Sequence, residues 1–483
     1  MSDGHRRCKG ARPILEKGVT CWRIAPADRV AVLIDAAAYY LALLQAFRRA
    51  RRSIMILGWD FDPGVRLDPT DPGTELRRLL PELVERRPEL QVRLLIWDVS
   101  VVYGPSSPVH QLFERAWQAH PRIELRFDGQ HPFGAAHHEK LVCIDDRLAF
   151  IGGIDLTVKR WDTPEHDPGD PRRLHADGER YDPVHDLQMA VGGEAARALA
   201  QLARRRWADA TGETLPSSRG RNDPWPASVA PWLHDVPVGI ARTRPAMDGG
   251  GGVNEVAALN DAALASARRS VYIEAQYLAA QPVADRLTAL LERRRGPEIV
   301  ILVWRQAIGW LERFAMGSNR DRLLRRLAAA DRCGRLRAYW LGLPDDPERE
   351  IELHSKLIIV DDVFVRIGSS NLNNRSLGVD TECDLAIEAT DPGTRAAIAE
   401  LRNTLLAEHL VRSPAEVGRA VAEGGLIAAI ERLNPGRGRL RPYEIDPDDG
   451  PKEPLPGTAL LDPAEPLDLD YLGRMLRNGL LSD

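Results

Sequence analysis

His138-Glu139-Lys140-Leu141-Val142-Cys143-Ile144-Asp145 and, 216 residues later, His354-Ser355-Lys356-Leu357-Ile358-Ile359-Val360-Asp361 are two versions of one phrase. Each is His-x-Lys, four apolar residues and Asp. Six residues on, the first continues as Gly152-Gly153-Ile154-Asp155 and the second as Gly368-Ser369-Ser370-Asn371. Side chains alternate along a strand, so a His and a Lys two positions apart point to the same face. The apolar residues after each Lys read as a strand buried on both faces. Asp145-Asp146 and Asp361-Asp362 carry turn chemistry, and residues 148–151 and 363–367 read as returning strands. Each phrase is therefore expected as a hairpin that holds an imidazole beside an ammonium. Asp145 and Asp361, at the turns, read as supports of the motif rather than as chemical groups. Gly152 and Gly368 are expected where backbone approaches a ligand closely.

A lone His-x-Lys is most simply a satisfied surface or core pair. Two copies inside apolar hairpins differ, because a buried ammonium without an anion is costly. Two such groups suit phosphoryl oxygens as point charges. One imidazole can attack phosphorus while the other protonates the departing oxygen and then activates water. That route passes through a phosphohistidine and requires no metal; neither a metal nor a cofactor is expected.

At these residues the chain resembles the phospholipase D superfamily, whose members carry paired HxKxxxxD motifs. The likeness spans roughly residues 30–410. His137-His138-Glu139-Lys140, the stretch Phe150 to Leu156 and Arg160-Trp161-Asp162 look like the first motif of phosphatidylcholine-type phospholipases D. Ile273-Glu274-Ala275-Gln276-Tyr277 is similar to the strand before their second motif. The resemblance implies an α/β fold of two duplicated α/β/α sandwich halves about a pseudo-twofold axis, with one shared active site. It makes His138 the nucleophile and His354 the general acid and base. Lys140, Lys356, Ser369 and Asn371 would hold the phosphate, with Gly153 and Asp155 in the matching places of the first copy. Asp186 and Glu382 would orient the imidazoles. Gly153 and Asp155 depart from the Ser and Asn of the second copy, an asymmetry that eukaryotic-type enzymes share and that points to phospholipid cleavage.

With 483 residues the chain exceeds one ordinary domain, and two is the natural expectation. Basic side chains (65) nearly balance acidic ones (70), which is no nucleic-acid footprint, so nucleic acid is not expected as a partner. Five scattered cysteines fit a reducing compartment, and Cys143 reads as a small buried hydrophobe. Residues 1–20 lack the apolar core of a signal peptide, and the longest apolar run, 36–44, is too short to span a bilayer. A cytoplasmic protein with peripheral contact to a membrane surface is expected; oligomeric state is not legible.

Along the chain, residues 1–25 read as a loosely ordered lead-in, 30–52 as an amphipathic helix, 54–57 as a strand, 75–85 as a helix that Pro81 could kink or split, and 92–97 as a strand. The order then repeats. Arg51-Arg52-Ser53 returns as Arg268-Arg269-Ser270 at an offset of 217, and the strand at 92–97 returns at 299–304 at an offset of 207. Three landmarks in one order indicate an internal duplication of α/β units. The halves are expected at 26–213 and 236–433, separated by a Pro/Ser/Gly linker at 214–235 and followed by a Pro/acidic tail at 434–483. Further helices are expected at 195–207, 320–327, 394–410, 414–433 and, in the tail, 469–480. The loop 163–181 reads as a rim of the site. Its His166 and His175 lack the spacing of metal ligands and read as surface residues. Arg204 to Arg206 read as a packing element with some scope to touch anionic lipid. Gly249 to Gly252 reads as a flexible loop, and the insertion around Gly309 to Glu312 as part of a lipid entrance.

The function these observations imply is a phospholipase D that releases phosphatidic acid and headgroup alcohol from a glycerophospholipid and also transfers the phosphatidyl group to alcohols. A cardiolipin or phosphatidylserine synthase would use the same chemistry with another acceptor. A metal-independent nuclease and a catalytically dead membrane scaffold are the remaining readings.

Overall fold

The computed structural model of the chain describes residues 12–98, 120–306 and 316–466, apart from 176–177, 219, 221, 248–249, 345, 347–348, 447–449 and 452–460. The expected entrance insertion at 309–312, Gly249 and the final helix at 469–480 lie outside the described residues.

The first half contributes β1 (Arg23–Ile34), β2 (Ser53–Gly58), β3 (Gln91–Trp97), β4 (Ile123–Asp128), β5 (Leu141–Ile144), β6 (Leu148–Gly152), β7 (Val184–His185) and β8 (Leu187–Gly192). The second contributes β9 (Leu233–Arg244), β10 (Val253–Asn254), β11 (Ser270–Ala275), β12 (Glu298–Val303), β13 (Leu336–Leu341), β14 (Glu352–Leu353), β15 (Lys356–Val360), β16 (Phe364–Gly368), β17 (Glu382–Glu388) and β18 (Leu440–Pro442). Sixteen of them form one sheet. Outward from the centre the first half runs β1-β8-β6-β5-β2-β3-β4 and the second runs β9-β17-β16-β15-β11-β12-β13. Both halves place two parallel pairs outside their antiparallel ones, and in the second half β18 adds one further antiparallel strand beyond β13. The duplication seen in the sequence is thus a duplication of topology.

The halves meet where β1 pairs antiparallel with β9, from Arg23 opposite Ile240 to Val30 opposite Leu233. Pro26 faces Pro237 in this seam. A proline has no N–H for a ladder, and here the far side of each is vacant. β8 pairs with β1 only from Val30 onward, and β17 with β9 only from Gly239.

The helices α1 (Asp35–Arg49), α2 (Leu76–Arg86), α3 (Gly193–Thr211), α4 (Glu255–Ser266), α5 (Gln281–Leu291), α6 (Ser318–Ala330), α7 (Asn374–Gly378), α8 (Pro392–Leu410) and α9 (Pro414–Leu433) cover the sheet. On one face Leu199 and Trp207 of α3 join Leu405 of α8 and Ile430 of α9 in a single core that runs under both hairpins. On the other face each half has its own core. Phe47 of α1 and Leu80 of α2 pack there in the first half, and Leu259, Leu287 and Leu324 of α4, α5 and α6 in the second. Each fully buried side chain of this size contributes about 1.5–3 kcal/mol, so the shared layer locks the halves together.

Several expectations need correction. Residues 30–34 are strand, not helix: Val30-Ala31-Val32-Leu33-Ile34 pairs with β8 on one side, where β-branched side chains pack well. Residues 14–22 are not loose, since Ile14 and Leu15 are buried and their amides donate to the Glu388 carboxylate of the opposite half at 3.0 and 2.9 Å. The helix expected at 75–85, by contrast, forms as α2 and runs on through Pro81. β9 begins inside the stretch read as linker.

Candidate active site

The repeated Asp of each phrase does more than turn the chain. Asp145 and Asp361 both sit at φ 54°, in tight turns closed with Asp146 and Asp362. The Asp145 carboxylate accepts the backbone N–H groups of Arg51, Arg52 and Ser53 at 2.7–2.8 Å. Asp361 accepts those of Arg268, Arg269 and Ser270 at 2.7–2.8 Å. The repeated Arg-Arg-Ser is the receptor for the repeated Asp, which ties each hairpin to the start of β2 or β11.

At the other end of each hairpin the halves exchange segments. β14 pairs in parallel with β7, bringing Leu353 opposite His185. Its pseudo-symmetric counterpart is a bridge between His137 and Thr381. His354 N donates to His185 O at 2.8 Å, and His138 N donates to Thr381 O at 3.0 Å. The residue after each acceptor is a carboxylate, Asp186 or Glu382, and each therefore meets the imidazole of the opposite half. His354 Nδ1 lies 2.6 Å from Asp186 Oδ2, and His138 Nδ1 lies 2.9 Å from Glu382 Oε1. With Nδ1 engaged, Nε2 is the nitrogen of each ring left for chemistry.

The lysines complete one electrostatic unit. Burial and then the charges of Lys140 and Lys356 hold His138 well below the usual imidazole value. Burial, Lys356, Arg160, Lys140 and His138 do the same to His354. Both ammonium groups act on both rings, so the two phrases surround one space. Burial raises Asp186 and Glu382 to about 7 and lowers Lys356 to about 7.

The residues expected to touch phosphate divide. Asp155 pairs with Lys140, Oδ2 to Nζ at 3.0 Å, and accepts Trp59 N at 3.0 Å. A carboxylate so engaged offers no donor to a phosphate, so its expected role gives way to positioning the lysine. Gly153 donates its N–H to Leu187 O at 3.0 Å, and a Cβ there would lie 2.2 Å from the Asp186 carboxylate. Gly153 thus makes room for Asp186 rather than for a ligand. Gly368 likewise lies against its neighbouring strand, where a Cβ would lie 1.9 Å from Asp384. Ser369 donates its hydroxyl to Glu382. Asn371 has a buried side-chain oxygen with no partner among the described residues.

Two further residues belong here. Gln276, at the end of β11, accepts from Lys356 Nζ at 2.9 Å. Arg160, 3.9 Å from Glu352, acts on His354. Both stand in stretches that the sequence singles out, but neither has a counterpart at the same register in the other copy that would mark it. Behind the first hairpin, His137 lies between Asp128 and Glu139 at 3.0 and 3.2 Å, and Arg206 pairs with both carboxylates. Arg206 is therefore a core cation, and Arg204 pairs with Asp146. The loop 163–181 lines a cleft of about 590 Å³ together with Arg160, but its His166 is buried rather than on the surface.

The chain is similar to several known proteins. A family model described as "Cardiolipin synthase, PLD-like domain" matches residues 261–405. Phospholipase D C of Dictyostelium discoideum is 26% identical over 203 residues, 36% of this chain and 12% of that protein. Phospholipase D A of the same organism is 24% identical over 431 residues, 75% of this chain and 33% of that protein. The matches thus span between 12% and 33% of the length of these relatives. The solved phosphatidylserine synthase of Haemophilus influenzae Rd KW20 shares the fold, with a TM-score of 0.53 at 13% identity over 85% of this chain and 97% of that one. Twice-written phrase, doubled sheet and relatives point one way: residues 261–405 match a PLD-like domain, and the chain is similar to phospholipases D.

Proposed function

We propose that the chain is a phospholipase D-type phosphodiesterase that cleaves the distal phosphodiester of a glycerophospholipid such as phosphatidylcholine. The observation that carries this reading is the exchange of partners, in which each half supplies the carboxylate for the other half's imidazole. Nε2 of His138 attacks phosphorus and forms the P–N bond of a phosphohistidine as the P–O bond to the headgroup breaks. His354 Nε2–H gives its proton to the departing oxygen. His354 then takes a proton from water, whose oxygen attacks phosphorus, and the P–N bond breaks to release phosphatidic acid. His138 is the more open of the rings, with 17% of its side chain exposed against 6% for His354. In the resting site burial, and after it the charges of the lysines, favour the neutral form of both rings, which suits the attacking one. A bound phosphodiester anion offsets those charges and raises His354 into its acid form.

Lys140 and Lys356 are the charge complement of the phosphoryl group, and Asn371 offers a side-chain amide with unspent capacity. The described helices include none long and apolar enough to cross a membrane. We assign approach from water, cytoplasmic and peripheral. The exposed Trp59, Phe133 and Leu174 stand on segments that lead to the site and suit contact with lipid.

The same intermediate open to another alcohol gives phosphatidyl transfer, a second reading favoured by the cardiolipin synthase description of the family model that fits residues 261–405. Phosphatidylcholine vesicles with ethanol should yield phosphatidylethanol beside phosphatidic acid. Hydrolysis without phosphatidylethanol would remove the covalent intermediate. Turnover appearing only when phosphatidylglycerol or serine is supplied would establish the transferase instead, and no reaction on any lipid would sink both readings.

A further inference from the structure

Behind Asp186 and His354 lies a second cluster that the reaction does not use. It gathers Asp35 from the start of α1, His166 from the loop 163–181, His185 from β7 and Glu408 from α8. One donor atom from each lies within 4.8 Å of every other. His166 Nε2 is 3.0 Å from Glu408 Oε1 and 3.9 Å from Asp35 Oδ2. His185 Nδ1 is 2.8 Å from Glu408 Oε1 and 3.1 Å from Asp35 Oδ1. Four ligands around a tetrahedral zinc ion at about 2.0–2.2 Å stand about 3.3 Å apart, the middle of this range.

Hydrogen bonding alone accounts for the cluster poorly. His185 Nδ1 has two carboxylate oxygens within reach yet aligns with neither, and Asp35 Oδ2, on a wholly buried side chain, has no partner among the described residues. Among the described residues the aligned hydrogen bonds to these donor atoms are His166 Nε2 with Glu408 at 3.0 Å and Asp186 N–H to Asp35 Oδ1 at 3.3 Å. Asp35 also holds a left-handed backbone, φ 63°, that a non-glycine residue keeps only when its surroundings impose it.

The atoms behind the imidazoles match what a metal requires. A ligating histidine commonly donates its other N–H to a carboxylate, which fixes its tautomer. His166 Nδ1 meets Asp162 at 2.8 Å, and Asp162 is itself held by Arg173 at 2.9 Å. His185 Nε2 meets Glu274 at 3.1 Å, and Glu274 also accepts from Tyr272 and Ser355 at 2.6 and 2.9 Å. Four carboxylates, Asp35, Asp162, Glu274 and Glu408, thus share a buried space with two guanidinium groups, Arg173 on Asp162 and Arg439, which donates to Glu408 O at 3.1 Å, and with His409, 3.2 Å from Glu274. Such a space favours a further cation.

We propose that Asp35, His166, His185 and Glu408 bind one divalent first-row transition-metal ion of the zinc type in a closed four-coordinate site. Three ligands come from the first half and Glu408 from the second, so the ion pins the halves together. It also braces the reaction centre from behind. Asp35 N donates to Asp186 O at 2.9 Å, His185 precedes Asp186 in the chain, and Ser355 precedes Lys356. No ligand touches the reacting phosphoryl group, so the role is positional.

The full chain, purified without metal-affinity resin, should carry about one equivalent of zinc or a similar ion by elemental mass spectrometry. Stripping with a strong chelator should lower the melting temperature by about 5 °C or more, and Zn2+ should restore it. Stripped protein loaded with Co2+ should show the intense visible bands of four-coordinate cobalt, and His166→Gln or Glu408→Gln should abolish them. If those variants fail to fold, the wild-type cobalt spectrum and metal content decide alone. Metal content below about a tenth of an equivalent, with no thermal shift on adding Zn2+, Mn2+ or Co2+, would overturn the site and leave a network of ion pairs. None of these readouts uses lipid turnover, so the metal site and the proposed reaction fail independently.

Discussion

Lys140 stands 3.0 Å from the carboxylate of Asp155, whereas Lys356 meets the neutral side-chain oxygen of Gln276 at 2.9 Å; each ammonium also donates to the main-chain oxygen of its own phrase's histidine. Gly153 yields space to Asp186, whereas Ser369 donates a hydroxyl to Glu382. One scaffold, written twice, therefore carries two unequal charge settings. The ammonium of the first copy is paired with a carboxylate, whereas among the described residues that of the second has none within 4 Å and feels Asp186 and Glu382 from further off. On the proposed reaction a phosphoryl anion would be drawn chiefly towards the second half, with the more open imidazole in the first. The duplication supplies the geometry, and the departures from it would give that reaction its direction.

Removing the cross-half carboxylates tests this division most severely. Asp186→Asn and Glu382→Gln should each lower turnover on the order of 10²–10⁴-fold, as loss of an imidazole-orienting carboxylate does elsewhere. Their effects should differ in kind. Glu382→Gln acts on His138 and should slow the burst of headgroup release. Asp186→Asn acts on His354 and should also leave labelled phosphoenzyme to accumulate in rapid-quench samples. Indistinguishable bursts and equal label in the two variants would erase the assignment of roles.

Swapping the glycine and the serine sharpens the same contrast. Ser369→Gly removes a hydroxyl that donates to Glu382 and accepts Cys383 N–H at 3.1 Å, and should cost about tenfold in turnover with a stability loss of about 1 kcal/mol. Gly153→Ser pushes a Cβ into the Asp186 carboxylate and should cost about 1–3 kcal/mol of stability besides activity. Equal tolerance of both substitutions, by thermal denaturation and steady-state assay, would show that the asymmetry is idle.

The mildest test addresses where the copies agree. Asp145→Ala and Asp361→Ala each unpair three backbone amides and should destabilise the fold by about 1–3 kcal/mol. Asp145 also accepts Asn222 Nδ2 at 2.7 Å, so its loss should be somewhat the larger. An unchanged melting temperature for either variant would deny that the motif aspartate anchors the hairpin.

The hairpins were readable because apolar runs, turn aspartates and glycines all speak locally, and because repetition removed chance. The exchange of segments between halves was not readable, since nothing in the chain says whether Asp186 faces the imidazole before it or the one of the other copy. Val30 to Ile34 misled for a different reason. The apolar stretch runs without a break into α1, and the switch from strand to helix lies in the backbone of Asp35. His166 misled because a loop rich in Pro and Asp looks solvated until Asp162, Arg173 and Glu408 close around it. Asp155 misled because its partner is a lysine fifteen residues earlier in the chain, on the neighbouring strand's approach.

The facing prolines of the seam have a consequence for movement. Pro26 and Pro237 permit no alternative ladder at that point, and the two strands around them are held by pairs in a single register. A slip of either strand would carry both imidazoles away from their borrowed carboxylates together. Both imidazole–carboxylate pairs therefore rest on one seam, which sets them together as a lock takes two keys.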